Sequence, residues 1–209
     1  MTYDSPMGKK LVKARQIKNP FKRFLILGSA SGLGLGYAPI APGTFGSLLG
    51  IPLGIWLVLY PTWASLIFCA IFLFLAVKVS DRAGLHWGNR DSGRIVIDEV
   101  LGQAIAIIGA KPFFIQYVPT LPTEGGFARH FENVSVGNFL DLFNALTEHK
   151  ESLLYIGIAF GLFRLFDITK PKPAKNFDDM PSGWGVMMDD VIAGLYAALV
   201  LRILAKIVL

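Results

Sequence analysis

The chain has 209 residues, of which 53% are hydrophobic and 17% charged, against about 25% charged in an average soluble domain. Its length suits one domain, and its 16 Phe and 4 Trp exclude a disordered chain. The charge deficit disfavours a water-soluble globule, and the net charge of +5 is not spread evenly.

Residues 1–23 form a basic tail, in which Lys9, Lys10, Lys13, Arg15, Lys18, Lys22 and Arg23 face Asp4 as the sole acid. Such a tail suits nucleic acid or anionic lipid. The apolar body that follows decides for lipid, since each Lys or Arg near an anionic leaflet gains about 1 kcal/mol. No cleavable signal peptide is expected, because the basic stretch is too long and no small-residue cleavage site follows it. Residues 24–209 are expected to form one membrane-embedded domain.

The segment Phe24 to Ala41 is apolar but broken by Gly28, Gly32, Gly34, Gly36 and Pro39. It reads as re-entrant or packed irregular structure, with a free span as the alternative. From Phe45 to Val79 the only charged side chain is Lys78. The expected membrane helices are Ser47 to Tyr60, Trp63 to Val79, Ile95 to Ala110 and Ser152 to Ile168, with a fifth from Val186 to Leu209. Cys69 lies alone in the second, which excludes a disulfide framework, a thiolate zinc site and a catalytic cysteine. The fold expected is all-α, an integral membrane bundle of about four to five transmembrane helices.

Lys111 to Lys150 is the most hydrophilic long stretch. Within it Phe139, Leu140, Leu142, Phe143 and Leu146 fall mostly on one helical face, which suits an amphipathic helix on the membrane surface or one packed on the spans. With the tail cytoplasmic, the spans place Lys78, Arg82, Arg90, Arg94, Arg164, Lys170, Lys172 and Lys175 near that side too. That makes fifteen of the 20 Lys and Arg residues, as the positive-inside rule requires.

The same orientation brings five acids to the cytoplasmic face: Asp98 and Glu99, Asp167, and Asp189 with Asp190. A carboxylate in lipid needs a partner, water or a cation, and five together would repel without a divalent ion. Oxygen donors with no His or Cys beside them favour a hard cation, Mg²⁺ where phosphate is the other ligand. His86, His130 and His149 are scattered and read as surface residues. Glu99, Gly102 and Ala106 share a helical face, as do Asp190, Gly194 and Ala197, and Gly157, Gly161 and Arg164, so each charge tops a strip of small residues suited to close helix packing. Arg164 and Lys170 are placed to bind phosphate, with an Arg164–Asp167 ion pair as the other reading of the arginine. The turn Pro42-Gly43-Thr44-Phe45-Gly46-Ser47 offers backbone N–H groups and the hydroxyls of Thr44 and Ser47 to an anion, or caps the helix it opens. Gly32-Leu33-Gly34-Leu35-Gly36 lacks the spacing of a dinucleotide fingerprint.

Four blocks carry a resemblance: APGTFGS at 41–47, IVIDEVLGQ at 95–103, FRLFDITKPKP at 163–173 and GWGVMMDDVIAG at 183–194. In this order the sequence resembles the phosphatidylglycerophosphatase A family of bacterial membrane phosphatases, from about Asn19 to the C-terminus. The stretch from Lys111 to about Lys150 departs from that pattern and reads as an insertion. The resemblance implies a Mg²⁺-dependent enzyme that removes the terminal phosphate of phosphatidylglycerol phosphate at the cytoplasmic face of the inner membrane. It implies metal ligation by Asp98, Glu99, Asp167, Asp189 and Asp190, catalysis by Asp98, Glu99, Asp167 and Asp190, and substrate contacts from Thr44, Ser47, Arg164 and Lys170. Partners expected are the phospholipid substrate and anionic lipids, with no nucleic acid and no obligate protein partner. Water attack and an aspartyl-phosphate intermediate both stay open, as does another lipid phosphomonoester as substrate. An ion-coupled transporter would keep its acids near the bilayer midplane rather than at helix ends.

Overall fold

A computed structural model describes residues 3–4, 10–11, 14–117, 140, 144, 150–172 and 183–209. The described helices are α1 (Pro20–Ala30), α2 (Pro42–Val58), α3 (Thr62–Trp87), α4 (Ile97–Gly109), α5 (Lys111–Tyr117), α6 (Lys150–Thr169) and α7 (Gly183–Val208), with a 3-10 turn at Leu35–Tyr37. A two-residue antiparallel pair, Tyr3–Asp4 with Lys10–Leu11, lies in the basic tail. The protein is an all-helical membrane bundle. Its α3, α6 and α7 are long and apolar enough to cross a bilayer, and α2 is a shorter apolar helix.

Among the expected spans, α4 is the shortest and the most enclosed. Eleven of its 13 residues are buried, and at 1.5 Å per residue it measures about 20 Å, short of a hydrocarbon core of about 30 Å. It is the central strut of the bundle, packed mainly on α2 and α7 and also on α3 and α6. A helix so enclosed meets protein on every side, which is why its sequence is apolar all round.

Two glycine seams let α4 approach its neighbours. Along α2, a Cβ at Gly50 would sit 2.5 Å from the Val100 carbonyl oxygen, and one at Gly54 would sit 2.6 Å from the Cβ of Ile107. On the α7 side, Gly194 lies against the backbone of Gly102 and Gly109 against Ala198. The Glu99-Gly102 and Asp190-Gly194 strips therefore meet one another as expected. The third strip does not: Gly157 and Gly161 are exposed and have nothing near the place a Cβ would occupy. It is Ala159 and Phe163 that α6 turns into the core.

At the end of the bundle away from the acids, Ser65 Oγ donates to the Leu57 carbonyl at 2.7 Å and Lys111 Nζ to that of Tyr60 at 2.6 Å. These bonds satisfy carbonyls at the end of α2 that have no partner within the helix. Lys111 is thus buried, and Phe113 and Phe114 beyond it enter the main core. The hydrophilic character assigned to 111–150 does not apply to its start. Phe139, Leu142, Phe143 and Leu146, the body of the expected amphipathic helix, lie outside the described residues, as do His130, His149 and Lys175.

Outward faces carry apolar stripes suited to acyl chains, such as Ile67, Ile71, Phe74 and Leu75 on α3 and Leu195, Leu199, Ile203 and Ile207 on α7. Near the acid end, α3 runs past its expected end at Val79 to Trp87 and stops at Gly88, whose φ of 72° is the left-handed helix stop that glycine permits. The segment after the tail is helical over α1, and then turns through Gly32 and Gly34 into the 3-10 turn.

Replacing Gly194 by Val drives its side chain into the Gly102 backbone and is expected to destabilise the bundle by about 1–3 kcal/mol or more. Gly161→Ala, free of any clash, is expected to be neutral or to stabilise α6 by up to about 1 kcal/mol. Thermal unfolding of the two variants in detergent, beside the parent protein, checks the pair.

Candidate active site

Three elements bring acids to one end of the bundle. Asp98 and Glu99 sit in the first turn of α4, where the helix dipole favours negative charge. Asp190 sits two turns into α7, deeper than a helix start at Val186 implies, because α7 begins at Gly183 with that glycine packed on the Val77 carbonyl of α3. One carboxylate oxygen from each of Asp98, Glu99 and Asp190 lies within 4.8 Å of the others. The Gly102–Gly194 contact fixes this, since each glycine follows its acid by about one turn.

Asp167, near the end of α6, lies beside the Asp190 carboxylate. It is held by Arg164 one turn earlier, with Nη1 to Oδ2 at 2.7 Å. Arg164 also donates from Nη1 to Ser47 Oγ at 3.4 Å. Asp189 lies beside the cluster and pairs with Lys170, Nζ to Oδ2 at 2.5 Å. Lys170 follows α6 with φ of 42°; that conformation costs a non-glycine residue roughly 1–2 kcal/mol, and the ion pair offsets part of it. Both cations expected to meet phosphate are thus also partners of acids. Arg164 makes both contacts from one of its three nitrogens, Nη1, which leaves the N–H groups of Nε and Nη2 outside them.

The Pro42–Ser47 block is not a turn ahead of a helix, since α2 begins at Pro42. Ser47 is no cap; its hydroxyl donates back to the Gly43 carbonyl at 2.9 Å. Thr44 lies half-buried in the first helical turn. The glycines serve approach between helices. Gly46 abuts Val96 and Glu99, and a Cβ at Gly43 would collide with the Glu99 carboxylate and sit 3.5 Å from Arg164 Nη1.

The donor set suits a hard divalent cation. The three converging ligands are carboxylates, with no His or Cys among them. Glu99 Oε2 is buried without a hydrogen-bond partner among the described residues. Five acids against Arg164 and Lys170 leave an excess of three negative charges, and the Asp98–Glu99 and Asp167–Asp190 carboxylates lie side by side. Bare carboxylates so close repel, and a cation or shared protons must hold them. Sequence reasoning gave no role to Gln103, one turn below Glu99. It is fully buried, and neither its Oε1 nor its Nε2 has a partner among the described residues. An unpartnered buried amide is costly, and its signal in the sequence is a lone polar residue between Gly102 and Ala104 in an apolar helix.

Residues 28–205 match the family model described as Phosphatidylglycerophosphatase A. The chain belongs to the phosphatidylglycerophosphatase A family. Its relatives include a phosphatidylglycerophosphatase A of Haemophilus influenzae, 32% identical over 87% of this chain and 92% of the relative. The Escherichia coli phosphatidylglycerophosphatase A is 26% identical over 92% and 88% respectively. A putative phosphatidylinositol-3-phosphatase of Bacteroides thetaiotaomicron is 28% identical over 86% and 93%. No solved structure matches the chain. The protein is therefore a membrane phosphatase of phospholipid metabolism, and the transporter reading is set aside.

Asp190→Asn keeps the size of the side chain and removes its charge. Turnover per folded molecule is expected to fall at least about a hundredfold, a loss typical of a central electrostatic group, while expression and membrane insertion persist. Glu151→Gln, at the exposed start of α6, serves as the control and should match the parent. Equal activity in the two variants would remove Asp190 from the site.

Proposed function

We propose that this protein hydrolyses the terminal phosphate of phosphatidylglycerol phosphate, giving phosphatidylglycerol and inorganic phosphate, with Mg²⁺ held by Asp98, Glu99 and Asp190 and flanked by Asp167 and Asp189. The observation that carries this reading is the convergence of those three carboxylates at one end of a membrane bundle. Bound there, Mg²⁺ would neutralise the phosphate and make a water molecule more acidic.

The protein's own groups do the rest. Arg164, braced by Asp167, directs its remaining N–H donors at the phosphate oxygens as charge shifts among them. Asp167, with its side chain 15% exposed, takes the proton of the attacking water. The water oxygen bonds to phosphorus as the bond to the glycerol oxygen breaks; that oxygen takes a proton from solvent water at the headgroup level, and Asp167 returns its proton to solvent. Lys170 holds Asp189 beside the cluster, and the bare face of Gly43 keeps the approach to Glu99 open. Half-buried Thr44 stands at that approach, while Ser47, fully buried, receives the Arg164 guanidinium and acts on the substrate through it.

A different lipid phosphomonoester is the second reading, favoured by the relative named as a putative phosphatidylinositol-3-phosphatase. The acid end faces the cytoplasm in the inner membrane, by the distribution of Lys and Arg.

Excess chelator is expected to abolish phosphate release from phosphatidylglycerol phosphate by the purified protein, and added Mg²⁺ to restore it. Phosphatidylinositol 3-phosphate and phosphatidic acid assayed in parallel separate the two readings, the first predicting clear preference for phosphatidylglycerol phosphate. Full activity in chelator would sink the metal assignment. For orientation, Asp91→Cys should label from the cytoplasmic side and Glu151→Cys from the opposite side; labelling of both from one side would refute the topology.

A further inference from the structure

The N-terminal segment has a feature that catalysis does not use. Between α1 and the turn that follows it lies a cavity of about 650 Å³, lined among others by Arg23, Phe24, Leu27, Gly28, Leu33 and Tyr37. That volume falls in the range of ligand sites, about 300–1,000 Å³. Around it stands an apolar collar: Phe21 is 69% exposed, Phe24 75%, Leu33 87% and Ile40 78%. Leu33 reaches outward from a backbone with φ of 60°, where a leucine is disfavoured. At 11 residues, α1 is about 16 Å long, too short to span a bilayer. Its apolar side, Phe21, Phe24 and Leu25, suits the headgroup and acyl boundary, with Lys22 and Arg23 beside it.

The cavity is joined to the acid cluster through the backbone. Val96, two residues before Asp98, donates its N–H to the carbonyl of Ala30, between the cavity residues Ser29 and Ser31, at 2.9 Å. Gly36 lies against the carbonyl of Arg94. The Arg94 guanidinium stands over the ring of Tyr37, 5.5 Å from its centroid, and over that of Trp87 at 5.9 Å. Arg23 therefore lines an apolar cavity, and Arg94, stacked on the ring of the cavity residue Tyr37, stands next to it.

We infer that this cavity binds the diacylglycerol end of a glycerophospholipid, with Arg23 and Arg94 receiving the phosphodiester that joins it to the headgroup, while the terminal phosphomonoester lies at the acid cluster. This deepens the phosphatase reading and rests on it. The substrate class is a lipid with both a phosphodiester and a phosphomonoester. Phosphatidic acid, which has only the monoester, lacks the group the two arginines recognise. The occupant is lipid by charge complementarity with the arginines and by the continuity of the collar with the bilayer.

The test is photolabelling, which needs no turnover. The full protein, in phosphatidylethanolamine vesicles, is exposed to phosphatidylglycerol or diacylglycerol carrying the same photoreactive acyl chain, and labelled residues are mapped by mass spectrometry. Phosphatidylglycerol is expected to label Leu27, Leu33 and Tyr37 several-fold more than diacylglycerol does. Gly28→Leu fills the cavity without a clash, since nothing lies within 4 Å of the Cβ position, and should lower that labelling several-fold while leaving Ile71 and Phe74 on α3 labelled as before. Arg23→Gln and Arg94→Gln should erase the preference for phosphatidylglycerol. Equal labelling by the two lipids in the parent protein, or undiminished cavity labelling in Gly28→Leu, overturns the proposal. Either failure leaves the phosphatase reading standing, and an inactive parent protein would leave the labelling result intact.

Discussion

The close approach of α4 to α2 on one side and to α7 on the other is the constraint on which the site depends. In lipid there is no hydrophobic gain from bringing helices together, so association relies on packing, and small residues that let backbones touch are its means. Here the contact is backbone to backbone at Gly102 and Gly194, and the glycines Gly46, Gly50 and Gly54 meet both backbone and side chains of α4 and the residue before it. Helical geometry then leaves little freedom. Acids one turn above two touching glycines must face each other across the same gap. The site's position is a consequence of where the glycines are.

That gap concentrates charge that the rest of the bundle excludes. Asp98, Asp189 and Asp190 are all buried, and burying an ion costs several kcal/mol after relaxation. The α4 dipole, Arg164 and Lys170 offset part of this, yet the acids outnumber the cations. A membrane protein with stability alone at stake would have apolar residues in these places. Uncompensated charge of this kind suits a cation, as the neighbouring Arg164 and Lys170 suit a phosphate. The Arg164–Asp167 pair fits both roles, because it lowers the local charge and orients a guanidinium whose remaining donors suit phosphate oxygens.

Much of this was legible in the sequence, because two strong signals apply to membrane chains. Runs of apolar residues marked α2, α3, α6 and α7, and the Lys and Arg distribution placed Asp98, Glu99, Asp167, Asp189 and Asp190 at one end before any coordinates. What was not legible is what depends on neighbours. Gly43 and Gly46 follow a proline and so read as turn glycines, yet they lie inside α2 and face α4. Gly157 and Gly161 show the same spacing as Gly194 but face outward, since spacing gives a face and not what it meets. Lys111 reads as a surface residue because a charge at the edge of an apolar run normally is one; it is buried and donates to the Tyr60 carbonyl, a partner that folding supplies. The Arg164–Asp167 pair was one of two readings of the arginine, because i and i+3 share a helical face; Lys170 read as a phosphate ligand because its partner Asp189 lies on another helix.

The shortness of α4 has a further consequence. A span must carry its polar ends to both interfaces, whereas an enclosed strut can begin at whatever depth its neighbours set. The N-terminus of α4 is set by the segment before it, which is pinned where Val96 bonds to Ala30 and where Gly36 admits the Arg94 carbonyl. Asp98 and Glu99 are thus tied by backbone contacts to α1 and its turn, an element too short to cross the bilayer and apolar on its outer side. A phosphatase acting on lipid headgroups needs its acids at the level of the phosphate rather than at the midplane or in bulk water. Backbone contacts that tie the start of α4 to α1 and its turn hold the acids at one end of the bundle without requiring any span to have a particular length.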